Sequence, residues 1–379
     1  MKSKITVFIF LQFLCCHSLL SAAIIPAPPQ LNARSYLVMD FNSGRILAEK
    51  NIDEKLPPAS LTKIMTSYIA ASELAAGHIT LDDKVVVSEK AWKMPGSRMF
   101  IEVNKKVSVH DLLNGIIIQS GNDASVALAE YISGDETVFA QLMNQNAKRL
   151  GMTNTHFTDS TGLPNPQHYT TAHDLAKLAR AFIRDYPDVY VINSHKEFTY
   201  NNIKQRNRNR LLWLDSTVDG VKTGHTEEAG YCLVASALRD GMRLISVVMG
   251  AESDNARTSA NQALLNYGFR FYETRKLYTA NEILTSPKIW KGTAEQISLG
   301  LDDDLFVTIP RGQFDNLESK YDLPDNIIAP VQTGDRIGQL KLVLNDKEII
   351  TTPLVAKDTV AMAGIFGRIR DEIRLLLNK

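Results

Sequence analysis

The stretch that most constrains this chain is Pro57-Pro58-Ala59-Ser60-Leu61-Thr62-Lys63, which runs into the apolar segment Ile64-Met65-Thr66-Ser67-Tyr68-Ile69. Proline lacks an amide hydrogen and clashes with the preceding turn of a helix, so the pair marks the segment just ahead of one. Apolar residues at 61, 64, 65, 68 and 69 then recur at helical spacing. Ser60 is therefore expected at a helix start, with Lys63 on the same face and within side-chain reach. A serine in such a place is ordinarily an N-cap. Lys63 argues for more, because the first turn favours an acid or amide and a cation there opposes the helix dipole. Burial and positive surroundings lower the pKa of an ammonium, and an amine so tuned can take the proton of a neighbouring hydroxyl. No other serine in the chain is followed three residues later by lysine.

Two further groups stand downstream. Ser108 with Asp111 marks a helix N-terminus, and Val109 to Ile118 is apolar enough for a buried helix. It ends in Ser120-Gly121-Asn122, a hydroxyl and a carboxamide in a tight turn, with Gly121 allowing a backbone conformation other residues resist. Asp123 is expected to cap the next helix, through Ala129, and another spans about Glu136 to Leu150. Taken alone, Ser120 and Asn122 are better explained as caps of free backbone groups in a turn between two helices. The third group is Lys222-Thr223-Gly224-His225, followed by Gly230 to Ala237, Asp240-Gly241 and Arg243 to Met249. Asp-Gly between two apolar runs predicts a hairpin, so Lys222 lies on or just before the first of a set of antiparallel strands. A glycine beside such a strand permits close approach of a ligand to the backbone.

With 379 residues, the chain is long enough for two domains and additions. Its 42 basic and 42 acidic side chains cancel, so bulk charge implies no nucleic-acid partner. The eight histidines form no metal-binding motif, and no metal or other cofactor is expected. Cys15 and Cys16 lie in the N-terminal apolar run, leaving Cys232 alone, expected as a buried strand residue. Residues 1–23 read as a signal peptide: Lys2 and Lys4, an apolar stretch from Ile5 to Leu14, and small residues at Ser21-Ala22-Ala23. A transmembrane span is the alternative, but Cys15 to Ser18 interrupt the run short of the ~20 apolar residues a span needs.

The ordered set S-x-x-K at Ser60, S-G-N at Ser120 and K-T-G at Lys222 resembles the D-alanyl-D-alanine carboxypeptidases, the low-molecular-mass penicillin-binding proteins. Asn-Arg-Asn-Arg-Leu-Leu-Trp before the third motif and Asn-Tyr-Gly-Phe-Arg-Phe-Tyr-Glu after it extend the resemblance to essentially the whole chain. The resemblance implies an α+β fold, a β-lactamase/transpeptidase-like catalytic domain whose antiparallel sheet is flanked by helices. It implies a reaction in which Ser60 attacks the penultimate D-alanine carbonyl of a peptidoglycan stem pentapeptide, Lys63 takes its proton, and water hydrolyses the acyl-enzyme. Ser120 would pass a proton to the leaving amine and Asn122 would hold Lys63 and the substrate amide in register. Lys222, Thr223, Gly224 and His225 would bind substrate, the backbone N–H groups of Ser60 and His225 forming the oxyanion hole. Arg257 would recognise the terminal carboxylate, unless it is a surface residue at the start of a helix over Ala256 to Asn266. β-Lactam antibiotics are implied as acylating ligands.

Ser253-Asp254-Asn255 spells the β-lactamase middle motif but follows K-T-G, so it reads as a loop and helix cap. A class A-like β-lactamase is the alternative enzyme. It needs an E-x-x-x-N loop, and the matching Glu197 and Asn201 read as strand and turn close to K-T-G. A penicillin-binding wall protein with a transpeptidase or mainly structural role is the other alternative. The segment from Thr158 to Thr171 is expected as a long loop bordering the site, braced or merely followed by Asp174 at the next helix.

The expected domains are 24–280, catalytic, and 281–358, a small all-β sandwich of short strands separated by Gly, Pro, Asn and Asp turns. Residues 359–379 form a C-terminal amphipathic helix with Ile365, Phe366, Ile369, Ile373, Leu376 and Leu377 on one face and Arg368, Asp371, Arg374 and Asn378 on the other. It suits a membrane surface and is too short and charged to span one; docking on the second domain is the alternative. The whole describes an exported protein, peripheral on the periplasmic face of a bacterial inner membrane.

Overall fold

A computed structural model describes residues 25–377, so the expected signal peptide lies outside the described residues. The first strands, β1 (Ser35–Asp40) and β2 (Ile46–Lys50), form an antiparallel hairpin. A turn of 3-10 helix over Ala59–Thr62 leads into α1 (Lys63–Ala75), and the helical lobe continues through α2 (Asn122–Ser133), α3 (Glu136–Arg149) and α4 (Ala172–Asp185). The chain then builds β3 (Val218–Thr226), β4 (Gly230–Arg239) and β5 (Met242–Ala251), and closes the body with α5 (Asp254–Phe271). The antiparallel sheet runs β2-β1-β5-β4-β3, which leaves β3, the strand carrying Lys222, at its edge.

Both faces of this sheet are covered, which is why β4 and β5 are apolar at nearly every position instead of alternating with polar residues. Cys232, Val234, Ile245, Val247 and Met249 point to one side, into a core shared with α1 and α4. Leu233, Ala235, Ala237, Leu244 and Val248 point to the other, against Leu264 and Leu265 of α5. Each such fully buried branched side chain contributes roughly 1.5–3 kcal/mol. Cys232 is fully buried, as expected, and burial raises its thiol pKa to about 11.

Two local expectations change. Asp123 does not cap α2; Gly121 holds the N-cap position, and the Asp123 carboxylate instead accepts from the backbone N–H groups of Met99 and Phe100, at 2.9 Å each. Gly121 does not supply the unusual conformation of the S-G-N turn either. Ser120 itself is left-handed at φ 65°, closing a π-helical turn over Gly115–Gln119, whereas Gly121 has φ −62°. Glycine is needed at 121 for space, since a Cβ there would lie 2.8 Å from the Asp123 carboxylate and 3.2 Å from the Met99 nitrogen.

The helical pattern gives way to β6 (Tyr272–Tyr278), which pairs with β7 (Leu305–Pro310); by pairing, this strand belongs to the second body. That body holds a five-stranded sheet in the order Ile283–Thr285, Leu299–Gly300, Lys347–Ala356, Arg336–Leu344, Leu317–Asp322. It encloses its own core, including Ile297, Val307, Leu340, Leu342 and Leu354. Leu317–Asp322 escapes sequence reading because Glu318, Ser319, Lys320, Tyr321 and Asp322 are all exposed on an edge. The bodies meet through short polar side chains. The buried Asp40 carboxylate accepts from Ser43 Oγ at 2.9 Å and Thr274 Oγ1 at 2.7 Å, while Arg45 Nη1 donates to the Thr308 carbonyl at 2.6 Å.

The last element is α6 (Ile365–Leu377). Asp371 turns inward and accepts from the Lys291 backbone N–H at 2.8 Å, and Lys291 pairs with Glu372. The opposite face is bare: Ile365, Phe366, Ile369, Ile373, Leu376 and Leu377 are all more than half exposed. No helix among the described residues is long and apolar enough to cross a membrane.

Candidate active site

Ser60, Lys63, Ser120, Asn122 and Lys222 come from three separate stretches of the chain and meet where the edge strand β3 faces the helical lobe. A cleft of about 700 Å³ opens there, lined among others by Ser60, Ser120, Thr223, Gly224, His225 and Arg257. Ser60 is not an N-cap. It lies within the 3-10 turn, where neither Ser60 nor Thr62 makes a side-chain cap, and Ala59 before it has φ 48°. The serine hydroxyl is therefore free for the cleft.

Lys63 is fully buried and its Nζ has three neighbours: Ser60 Oγ at 3.0 Å, Asn122 Oδ1 at 2.7 Å and the Thr161 carbonyl at 2.8 Å. The last two oxygens can only accept. A neutral amine has two hydrogens and one lone pair, so donation to Asn122 and Thr161 leaves the lone pair aimed at Ser60. Burial lowers the Lys63 pKa to about 7, opposed by Asp159, Asp123 and Glu136 and aided by Arg208. Lys222 is buried too and donates to Ser120 Oγ and the Thr223 carbonyl, each at 2.9 Å. Its pKa is lowered well below the ordinary value by burial, then by the charges of Lys63, Arg208 and Arg257.

Asn122 is fixed at its other end, donating from Nδ2 to the Pro95 carbonyl at 2.6 Å. Gly224, on the cleft wall, also meets a requirement from within the protein. The nucleophile's own turn makes the close approach: a Cβ at 224 would lie 2.9 Å from the Pro58 carbonyl oxygen and 3.2 Å from the Leu61 nitrogen. His225 is exposed and stacks on Tyr231 at 4.0 Å between ring centroids. Arg257 is buried, in the first turn of α5, and not a surface residue. It donates from Nη1 to the carbonyls of Gly224 and Cys232 at 2.9 and 3.2 Å, pairs with Asp254, and lies over the Tyr231 ring.

Ser253 caps α5 as expected, accepting from the Ala256 N–H. Asp254 of the same triplet, however, joins the cleft wall. Glu197 lies on a surface strand, Glu197–Tyr200, paired with Lys204 and Arg206.

Sequence reasoning missed Arg208, an exposed guanidinium on the cleft. Its signal was the alternation Asn207-Arg208-Asn209-Arg210, in which the asparagines are buried and the arginines exposed. Asn207 Nδ2 donates to the His195 carbonyl at 3.0 Å and Asn209 Nδ2 to the Gly220 carbonyl at 2.9 Å, which turns Arg208 outward. The loop expected to border the site does so: Thr161 reaches Lys63, and Asp174 braces the loop's base by accepting from the Asn154 N–H and Thr155 Oγ1 at 2.9 Å each.

Residues 22–253 match the D-alanyl-D-alanine carboxypeptidase family, and residues 272–362 match the C-terminal domain of penicillin-binding protein 5. The chain is 46% identical to D-alanyl-D-alanine carboxypeptidase DacC of Escherichia coli over 92% of its length and 89% of the relative's. It superposes on penicillin-binding protein 5 of Haemophilus influenzae with a TM-score of 0.87 and 43% identity, covering 89% of this chain and 99% of that one. Penicillin-binding protein D2 of Listeria monocytogenes, solved with ampicillin bound, matches with a TM-score of 0.59 and 31% identity, over 64% of this chain and 100% of that one. The chain belongs to the D-alanyl-D-alanine carboxypeptidase family of serine hydrolases, penicillin-binding proteins with a catalytic domain followed by a β domain.

Proposed function

We propose that Ser60 is the nucleophile and Lys63 its base in removing the terminal D-alanine from peptidoglycan pentapeptide stems. The carrying observation is the Lys63 amine, whose two acceptor-only neighbours leave its lone pair for the Ser60 hydroxyl. As the proton passes to Lys63, the Ser60 oxygen bonds to the penultimate D-alanine carbonyl carbon and the peptide C–N bond breaks. The leaving amine needs a proton, and Ser120, held by Lys222, stands in line to relay one. Water then releases the shortened stem and restores Ser60.

Asn122 orients the amine beside the cleft, its own Nδ2 held by the Pro95 carbonyl. Lys222, Thr223 and Arg208 give it a positive end that suits a terminal carboxylate. Arg257, whose Nη groups hold the Gly224 and Cys232 carbonyls and Asp254, supports that wall through the backbone. The backbone N–H groups of Ser60 and His225 serve as oxyanion hole, an arrangement in which each donor contributes about 3 kcal/mol to the barrier. β-Lactams acylate the same serine, a reading supported by the ampicillin-bound relative. Export is supported by the charge and apolar pattern of residues 1–23, and attachment to the outer face of the inner membrane by the exposed apolar row of α6.

The test is D-alanine release from a stem-mimicking peptide ending in D-Ala-D-Ala. Release by the parent and none by Ser60→Ala supports the reading. A parent that takes up fluorescent penicillin at Ser60 yet releases no D-alanine would move a transpeptidase or binding role ahead.

A further inference from the structure

Behind Lys63 lies a polar cluster that the reaction as described does not use. His168 has a side chain only 1% exposed. Its Nε2 is 2.9 Å from Thr62 Oγ1, and that hydroxyl donates to the Ala59 carbonyl at 2.8 Å. A hydroxyl has one proton to give, so Nε2 donates to Thr62, and Nδ1 donates to Asp159 as well only when both ring nitrogens carry hydrogen, an imidazolium beside a carboxylate. At the other side of the ring, Nδ1 lies 3.2 Å from Asp159 Oδ2 and 3.0 Å from Thr158 Oγ1. The second Asp159 oxygen accepts from the backbone N–H groups of Thr161 and Gly162, at 2.8 and 2.7 Å, and from Thr161 Oγ1 at 2.7 Å. Thr161 is the residue whose carbonyl takes a hydrogen of Lys63. The contacts thus close a ring: Lys63, Thr161, Asp159, His168, Thr62 and back along the chain to Lys63.

We propose that Asp159 and His168 are positioning residues for the Lys63 base, clamping the Thr161 carbonyl to its amine and tying the 158–171 loop to the turn that carries Ser60. The inference rests on Lys63 acting as the base. Without the clamp the amine keeps Asn122 but loses its second fixed acceptor, and the lone pair is free to turn from Ser60. The Asp159 charge has a separate effect. It favours the ammonium form of Lys63, as do Asp123 on α2 and Glu136 on α3, while Arg208 from the segment ahead of β3 opposes it; Lys222 on β3 and Arg257 on α5 are the other basic groups of the site, and Lys90 pairs with Glu136. Asp159 itself is held well into the ionised range: burial works against its charge, but the His168 and Thr161 hydrogen bonds outweigh it.

The experiment follows the rate of Ser60 acylation by a fluorescent penicillin across pH, in the parent and in Asp159→Asn, His168→Ala and His168→Gln, with folding checked by thermal melting. Asp159→Asn keeps an acceptor oxygen but removes the charge, and is expected to move the acid limb down by about one pH unit. His168→Ala is expected to lower the plateau about tenfold. His168→Gln, whose amide can still donate to Thr62, is expected to restore most of it. A purely structural pair would lower melting temperatures and leave the limb where it was. A parent limb near pH 7 that stays put in Asp159→Asn, or a His168→Ala plateau equal to the parent's, overturns this inference alone. A parent profile with no limb between about pH 5 and 9 overturns the base assignment and this inference with it.

Discussion

Gly162 and Ala59 meet backbone to backbone. A Cβ on Gly162 would stand 1.8 Å from the Ala59 carbonyl oxygen and 2.6 Å from Thr62 Oγ1, and Gly162 has φ 84°. The loop beside the site is thus pressed against the turn that presents Ser60. Gly162→Ala adds both a clash with main chain and a left-handed alanine, together costing roughly 2–4 kcal/mol. Thermal melting should show a drop of several degrees, and penicillin labelling of Ser60 should be slowed far more than the lost stability explains. An unchanged melting temperature would mean the loop does not seat as described.

Acylation should follow the neutral fraction of Lys63. With burial lowering its pKa to about 7, the base is mostly protonated below that value and mostly free above it. The rate should rise about tenfold between about pH 6 and 8 and then level off. Stopped-flow labelling over that range tests it. A rate that still climbed toward pH 10 would indicate a lysine with its ordinary affinity for the proton.

Ser120 combines a left-handed backbone with a hydroxyl held by Lys222, and substitution can separate the two. Ser120→Gly suits the backbone and removes the hydroxyl; Ser120→Ala removes the hydroxyl and keeps the strain. Both should slow turnover about a hundredfold, while the glycine variant, relieved of the left-handed side chain, should be the more stable of the two by about 1 kcal/mol. Equal melting temperatures for the two would remove the backbone argument, and parental turnover in either would remove Ser120 from the proton path.

The exposed row of α6 can be tested without touching the site. Phe366→Glu with Ile369→Glu should release the mature protein from vesicles of bacterial phospholipid and leave D-alanine release in solution unchanged. Retention on vesicles by the double variant would argue for another attachment surface.

Much of this site was legible because its chemistry depends on residue types that rarely fall together by chance. Lys63 opens α1 as the spacing indicates, Ser60 sits in the turn just ahead of it, and Lys222 lies on the strand that the Asp240-Gly241 hairpin implies. The boundaries of α3 and the Asp240-Gly241 hairpin follow from caps and turns that act locally, whereas α5 runs on to Phe271, past the Asn266 that its sequence indicates. What escaped depends on distant contacts. Glycine at 121 and 224 is dictated by Met99 and by Pro58 and Leu61, residues far away in sequence. Asp159 and His168 look like loop polarity until Thr62 is brought beside them. Arg208 is aimed by two buried asparagines whose acceptors lie on other segments. The edge strand Leu317–Asp322 has no apolar face to announce it.

The joint between the two bodies bears on what an attached copy can reach. It is made from Asp40, Ser43, Thr274 and Thr308, side chains with few rotatable bonds, and from one arginine clasped to a backbone carbonyl. Asp40 belongs to β1, a strand of the same sheet that carries Lys222. Such a joint resists swivelling, so a bilayer gripping α6 would hold the cleft at a set height and tilt, like the head of a rigid post. Stem peptides would then be selected by altitude above the lipid as much as by their chemistry.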